Sequence, residues 1–264
     1  LILAPFWPLI RGIALAFGAV PVEVPFFDRV HSVGEALAAI RAQLGPRSVA
    51  LYLSSPSNPS GRVLPRAWLE AIAELARREN LWLLSDEVYE DYVYRGEHVS
   101  LLSLAPERSI GAFSFSKAYG MAGNRIGYLA GPAPQIALAH RFGSHSYYCA
   151  PAPSQRAALG ALREGAGWVA EARRLYAEVG AEAARRLGLP APEGSTFLFV
   201  DVSEALDARG LFGFLEDCAA DGVALAPGSS SGSAYGSWVR LCYTAAPPEQ
   251  VLSAVSAVAK RLGR

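Results

Sequence analysis

Lysine is scarce in this sequence. Among 24 basic residues in a chain of 264, only Lys117 and Lys260 are lysines, so arginine supplies almost all of the positive charge. An amine differs from a guanidinium in being able to lose its proton and attack a carbonyl, above all where burial or a neighbouring cation lowers its pKa. The ordinary place for a lysine is a solvated surface, so the surroundings of Lys117 have to decide between the two.

Other absences narrow the function classes. The three cysteines, Cys149, Cys218 and Cys242, are odd in number and widely spaced without a CxxC pair, which argues against a disulfide framework or a structural zinc site and makes a reducing cytoplasm the expected compartment. His31, His98, His140 and His145 form no HxxxH pair. Net charge is zero and the pI is about 7.1, so neither nucleic acid nor an anionic membrane surface is expected as a partner. The apolar opening "LILAPFWPLIRGIALAFGAV" is interrupted by Pro5, Pro8 and Arg11. That leaves no uninterrupted span of about 18 apolar residues, and the stretch reads as buried strand and helix. It begins on Leu1 in the middle of the strand pattern, and further residues are expected upstream. The sequence also lacks a Gly-Lys dipeptide, hence a P-loop, and its "GMAGNRIG" run lacks the spacing of a dinucleotide fingerprint.

What is present describes a well-buried globular chain, 52% apolar and 18% charged. Short apolar runs alternate with amphipathic segments, the pattern of a mainly parallel sheet flanked by helices. Ser32 and Glu35 form a capping box before a helix that ends near Gly45. Strands are predicted at 49–55, 81–85, 109–116 and 125–131, and a helix at 65–79 with Trp68, Leu69, Ile72 and Leu75 on one face. Ligands of open α/β sheets bind outside the carboxyl ends of strands. Asn58, Asp86 and Lys117 all fall there. After Pro153 the character changes. A long helical stretch over 154–188, broken near Gly165, precedes strands at 196–202, 223–228 and 238–244 and helices at 208–220 and from 247 onward. The expected division is a large domain over 1–165 and a smaller C-terminal domain over 166–264 that includes the connecting helix.

Three segments in order, "SPSNPSG" (55–61), "LWLLSDEVYEDYVY" (81–94) and "SFSKAYGMAGNRIGY" (114–128), resemble the class I and II aminotransferases of the fold type I pyridoxal-phosphate enzymes, with the likeness running from "APFWP" to "WVRLCY". The resemblance implies an aspartate-aminotransferase-like α/β fold: a three-layer αβα large domain on a mainly parallel sheet and a smaller α+β C-terminal domain. It implies pyridoxal 5'-phosphate as cofactor, held by Lys117 as a Schiff base, with Lys117 also shuttling the proton in catalysis. It implies that Asp86 keeps the ring nitrogen protonated, that Asn58 and Tyr89 donate to the ring's phenolic oxygen, and that Ser114, Ser116 and Arg125 clamp the phosphate. Trp7 would stack on the ring, and Arg240 would grip the substrate's α-carboxylate, with Asn58 bordering the same substrate. Residue by residue the plain structural readings are a capping aspartate, a turn asparagine, a core tyrosine, a core tryptophan and a surface arginine. Against the last, an arginine inside an apolar strand is costly unless paired.

The sequence also departs from the family pattern. No glycine-rich phosphate loop precedes Trp7, and the family's upstream strand–helix unit has no counterpart. Ser231 stands where an aromatic is usual, which would enlarge the side-chain pocket. Tyr147 and Tyr148 are candidates for pocket lining, while Arg141 reads as a surface residue or a second carboxylate grip. The expected activity is transfer of the amino group of an L-amino acid to a 2-oxo acid by a homodimer. Another fold type I reaction (lyase, decarboxylase or oxidase) or an aminotransferase-like regulatory domain remains the alternative.

Overall fold

A computed structural model describes residues 1–264. The first part of the chain builds a sheet of six strands: β1 (Ile2–Ala4), β2 (Glu23–Pro25), β3 (Ala50–Ser54), β4 (Trp82–Asp86), β5 (Ser109–Ser114) and β6 (Gly127–Ala130). They lie in the order β2-β1-β3-β4-β5-β6. All neighbours are parallel except β5 and β6, which run antiparallel. The connections carry α1 (Pro8–Ala16), α2 (Val33–Ala42), α3 (Arg66–Arg78) and the short α4 (Leu101–Leu104), and α5 (Ala133–Ser146) follows β6.

The pleat of β3 and β4 divides their side chains between two surfaces, because successive residues of a strand point to opposite faces. Leu51, Leu53 and Leu83 enter a core of 21 buried residues that also takes Leu69, Ile72 and Ala76 from α3 and Ala36 and Ile40 from α2. Tyr52, Leu84 and Asp86 point the other way. Helix α2 begins as expected, with the Ser32 hydroxyl accepting from Glu35 N at 3.2 Å. The Glu35 carboxylate reaches one residue beyond the usual capping box and accepts from His31 N at 2.7 Å.

The long helical stretch resolves into α6 (Ala152–Glu164) and α7 (Ala166–Arg186), which meet at Gly165. A second, antiparallel sheet follows, with β7 (Phe197–Asp201), β8 (Ala226–Pro227) and β9 (Trp238–Cys242) in the order β7-β9-β8, together with α8 (Gly210–Ala220) and α9 (Pro248–Arg261). Its own core of 18 buried residues draws Ala183 and Leu187 from the region of α7, Leu198 from β7, Val239 from β9 and Val255 from α9.

Two features correct the sequence reading. The opening segment is buried only in part: β1 is, but α1 buries none of its residues and exposes Leu9, Ile13 and Leu15, because no layer of this chain covers it. Phe17, just beyond α1, meets only the edge of Phe142 of α5 at 5.6 Å between ring centroids. The strand expected over 223–228 shrinks to two residues of β8. No helix is long and apolar enough to cross a membrane.

Among the contacts that join the two sheets is one tight loop. Gly61 adopts φ +71°, and its carbonyl accepts from Glu193 N at 3.0 Å and Gly194 N at 2.9 Å. A Cβ on Gly61 would come within 2.9 Å of the Phe197 carbonyl oxygen. Left-handed backbone costs a non-glycine residue about 1–3 kcal/mol, so Gly61→Ala is expected to lower unfolding free energy by at least that range in a urea titration.

Candidate active site

At the carboxyl ends of β3, β4 and β5 the chain leaves a cavity of about 500 Å³. Its wall holds Asn58 from the loop after β3, Asp86 at the end of β4 with Tyr89 in the turn beyond, and Ser114 at the end of β5. Ser116, Lys117 and Arg125 from the turn between β5 and β6 complete that side, and Trp7 and Ile10 reach in from the start of α1. All eight residues assigned to the cofactor by resemblance therefore share one cavity. They converge because parallel strands present their carboxyl ends on one side of the sheet.

The turn after β5 is held firmly at its backbone. The Lys117 carbonyl accepts from Gly120 N at 3.1 Å and the Tyr92 hydroxyl at 3.3 Å, while the Ala118 carbonyl accepts from Trp168 Nε1 of α7 at 3.1 Å. The Ser114 hydroxyl accepts from Ser116 N at 3.1 Å. Gly127 lets β6 close against β5, since a Cβ there would lie 2.4 Å from the Phe113 carbonyl oxygen. Arg125 precedes it with a left-handed backbone, φ 51°, and its guanidinium donates to the Ala122 carbonyl at 2.9 Å.

Lys117 departs from expectation in one respect. Its side chain is exposed instead of buried, because the cavity is open along the turn and β6, whose Tyr128 and Leu129 are also exposed. The ammonium stands 5.5 Å from the centroid of the Tyr89 ring. Tyr89 itself is 2% exposed, and burial pushes its phenol above the usual tyrosine range.

Asp86 is the carboxylate of the cavity wall. Burial raises its pKa, and the hydrogen bond from Tyr52, the Val88 amide and the charge of Lys117 offset this only in part. The Tyr52 hydroxyl donates to Asp86 Oδ2 at 2.6 Å, and Val88 N approaches Oδ1 at 3.4 Å. Neither Tyr52 nor Ile10 was singled out by the sequence reading. The neighbouring carboxylate, Glu87, points away from the cavity and is 1% exposed. Its Oε1 accepts from the Ser85 and Ser100 hydroxyls at 2.7 and 3.0 Å, and Oε2 faces His98 Nε2 at 2.9 Å.

Arg240 of β9 does not form part of the cavity wall. It reaches toward it from the second sheet, donating from Nη1 to Asn58 Oδ1 at 3.1 Å while its guanidinium lies 4.6 Å from the Phe197 ring centroid. The aromatic face partly offsets the cost of the charge in that strand. Other expectations are not met. Tyr147 and Tyr148 are 67% and 86% exposed and lie outside the cavity wall. Ser231 is buried, with its carbonyl accepting from Phe6 N at 3.0 Å, so the small residue admits close packing against the chain beside Trp7 and does not open the cavity.

Similarity to known proteins runs through the whole described architecture. A probable aspartate/prephenate aminotransferase of Thermus aquaticus is 36% identical over 251 residues, which cover 92% of this chain and 64% of that protein. An aromatic-amino-acid aminotransferase of Thermococcus litoralis is 34% identical over 93% of this chain and 65% of its own length. The chain thus spans a little under two thirds of these relatives. Among solved structures, the aspartate aminotransferase of Thermus thermophilus with maleate superposes with a TM-score of 0.87 at 32% identity, covering 98% of this chain and 69% of that one. The sequence of residues 1–258 matches the family described as aminotransferase class I and II. With the same α/β layers, strand ends and chain order, this chain belongs to the class I and II aminotransferase family, in the fold type I group of pyridoxal-phosphate enzymes.

Proposed function

We propose that the chain forms the cofactor- and substrate-binding core of an aminotransferase that moves the amino group of an L-amino acid to a 2-oxo acid. The observation that carries this reading is the convergence on one cavity of Asp86, from the end of β4, with Lys117 and Arg125, from the turn between β5 and β6. The residues fit pyridoxal 5'-phosphate. The half-buried Asp86 charge is disfavoured by its surroundings and would be relieved by a protonated ring nitrogen. The Ser114 and Ser116 hydroxyls and the Arg125 fork offer donors suited to a phosphate. Lys117 is an exposed amine beside them, able to take an aldehyde.

When bound, that group supplies an electron sink for the bonds at the substrate's α-carbon. The protein's part is positional and acid–base. Lys117 Nζ would hold the cofactor and would carry a proton to and from the substrate's α-carbon. Asp86 would keep the ring nitrogen charged, Asn58 and Tyr89 would donate toward the phenolic oxygen, and Trp7 would cover the ring. Arg240 fixes the α-carboxylate, with Asn58 beside it. The division of the chain at 165/166 and a homodimeric assembly belong to the same proposal. The apolar side chains exposed on α1 and α5, including Leu9 and Leu138, offer surface for a second copy.

The test is the visible spectrum of the purified chain with added pyridoxal 5'-phosphate, before and after borohydride, followed by mapping of the labelled peptide. A band fixed to Lys117 on reduction, and lost on adding aspartate or an aromatic amino acid, is expected; a label elsewhere, or no band, overturns the reading. A second prediction concerns Arg240. A hydrogen-bonded contact to a charged group contributes about 1.5–3 kcal/mol, and lysine cannot reproduce a two-pronged grip. Arg240→Lys should therefore raise KM for the amino acid about 10- to 100-fold, with a smaller change in kcat, in steady-state assays.

A further inference from the structure

We propose that Tyr52 is a positioning residue that orients the Asp86 carboxylate for the cofactor's ring nitrogen. This inference rests on the reading of Asp86 given above and extends it to a residue outside the set that the family resemblance supplied.

The placement follows from the sheet. Tyr52 pairs with Leu84 and Ser54 with Asp86 in the parallel register of β3 and β4, so Tyr52 and Asp86 lie two residues apart along the ladder on the same face. A tyrosine side chain is long enough to span that diagonal. Tyr52 lines the cavity and is 6% exposed, which shields its hydrogen bond from water. At 2.6 Å the contact to Oδ2 has the ordinary length of a strong hydrogen bond from a hydroxyl to a carboxylate. The other contact of Asp86, from Val88 N to Oδ1, is long at 3.4 Å. Rotation of a carboxylate about its last torsion is soft; the phenol is the group that holds it.

The surroundings also favour the phenol as the donor. Burial and the neighbouring carboxylate push the Tyr52 phenol well above its usual range, so the proton stays on the tyrosine and Asp86 remains the acceptor. The hydrogen bond from Tyr52 lowers the Asp86 pKa against the raising effect of burial, which favours the charged form on the cavity side. Removing only the hydroxyl leaves the aromatic ring in its small cluster with Ile2, Ala4, Phe6 and Tyr235, so packing there is preserved.

The experiment compares wild type with Tyr52→Phe, measuring dissociation constants by fluorescence for pyridoxal 5'-phosphate and for the analogue in which carbon replaces the ring nitrogen. Wild type is expected to bind the natural group more tightly than the analogue. Tyr52→Phe should weaken binding of the natural group about tenfold, the scale of one hydrogen bond to a charged group, and leave the analogue unchanged. Equal weakening of both compounds would mean a merely structural role, and no change in either would mean that Asp86 is held without Tyr52; each overturns the proposal. A wild type that does not distinguish the two compounds overturns the assignment of Asp86 itself, and the inference with it. Thermal melting of both chains without cofactor, expected to agree within a few degrees, separates these outcomes from a folding defect.

Discussion

Lys117→Ala is expected to abolish borohydride fixation of pyridoxal 5'-phosphate and to leave the fold intact. The chain offers only one other lysine, Lys260, and that residue sits in the last turn of α9, outside the cavity wall. No second lysine can take over. Because Nζ is also the group proposed to carry the proton, the half-reaction with an amino acid should slow by about 100- to 10,000-fold from the loss of general acid–base assistance alone. The side chain is exposed and its backbone is tied down independently through Tyr92, Gly120 and Trp168. Unfolding free energy should therefore shift by no more than about 0.5 kcal/mol. A variant that unfolds, or one that still fixes the cofactor, would contradict the assignment; absorbance after reduction and a denaturant titration read the two effects separately.

The second large effect is expected for Asp86→Asn, and it has opposite signs for rate and stability. An opposite charge at contact shifts a pKa by about 1–3 units, each worth about 1.36 kcal/mol. Loss of the carboxylate beside the ring nitrogen should therefore slow α-proton removal about 10- to 1,000-fold in stopped-flow spectra. In the chain without cofactor the same charge is a burden. The folded pKa of Asp86 is raised from 3.8 by burial, so the folded state binds the proton more tightly than the unfolded state does. Stability then falls as pH rises from about 3.8 toward the raised folded value, and the loss is complete above it. Asparagine removes that dependence. At neutral pH the cofactor-free variant should be the more stable of the two, with a flatter pH profile across the acid range, as is common where a functional charge is held at a cost.

Much of this architecture was legible because it rests on local chemistry. Asn58, Asp86 and Lys117 each lie at or within a few residues of the end of a strand pattern, and a parallel sheet gathers such positions at one edge whatever the details of packing. Tyr52 was not legible, since a tyrosine within "VALYLSS" is ordinary for a buried strand and its partner lies 34 residues away; only the register of β3 against β4 joins them. Asp86 and Glu87 look alike in "SDE", yet the pleat sends one to the cavity and the other to a buried cluster with Ser85, Ser100 and His98. Strict alternation along β4 could have separated them. The exposure of Lys117 and of α1 was illegible for a different reason: apolar composition implies burial only when another layer lies over it, and composition does not say whether one does. Helix α5 escaped notice because Gly143, Ser144 and Ser146 and its weak apolar face mask its period.

The antiparallel return of β6 along β5 has a mechanical consequence. Lys117 and Arg125 are fastened to the same hairpin, one strand away from Asp86, so the three proposed handholds on the cofactor travel as a single frame. Arg240 belongs to the other sheet and meets that frame through the Asn58 amide, close to the Gly61 carbonyl that stitches the two halves together. The residue proposed to hold the α-carboxylate and those proposed to hold the cofactor are therefore carried by different sheets. A change in either sheet would in that case alter one grip and leave the residues of the other in place.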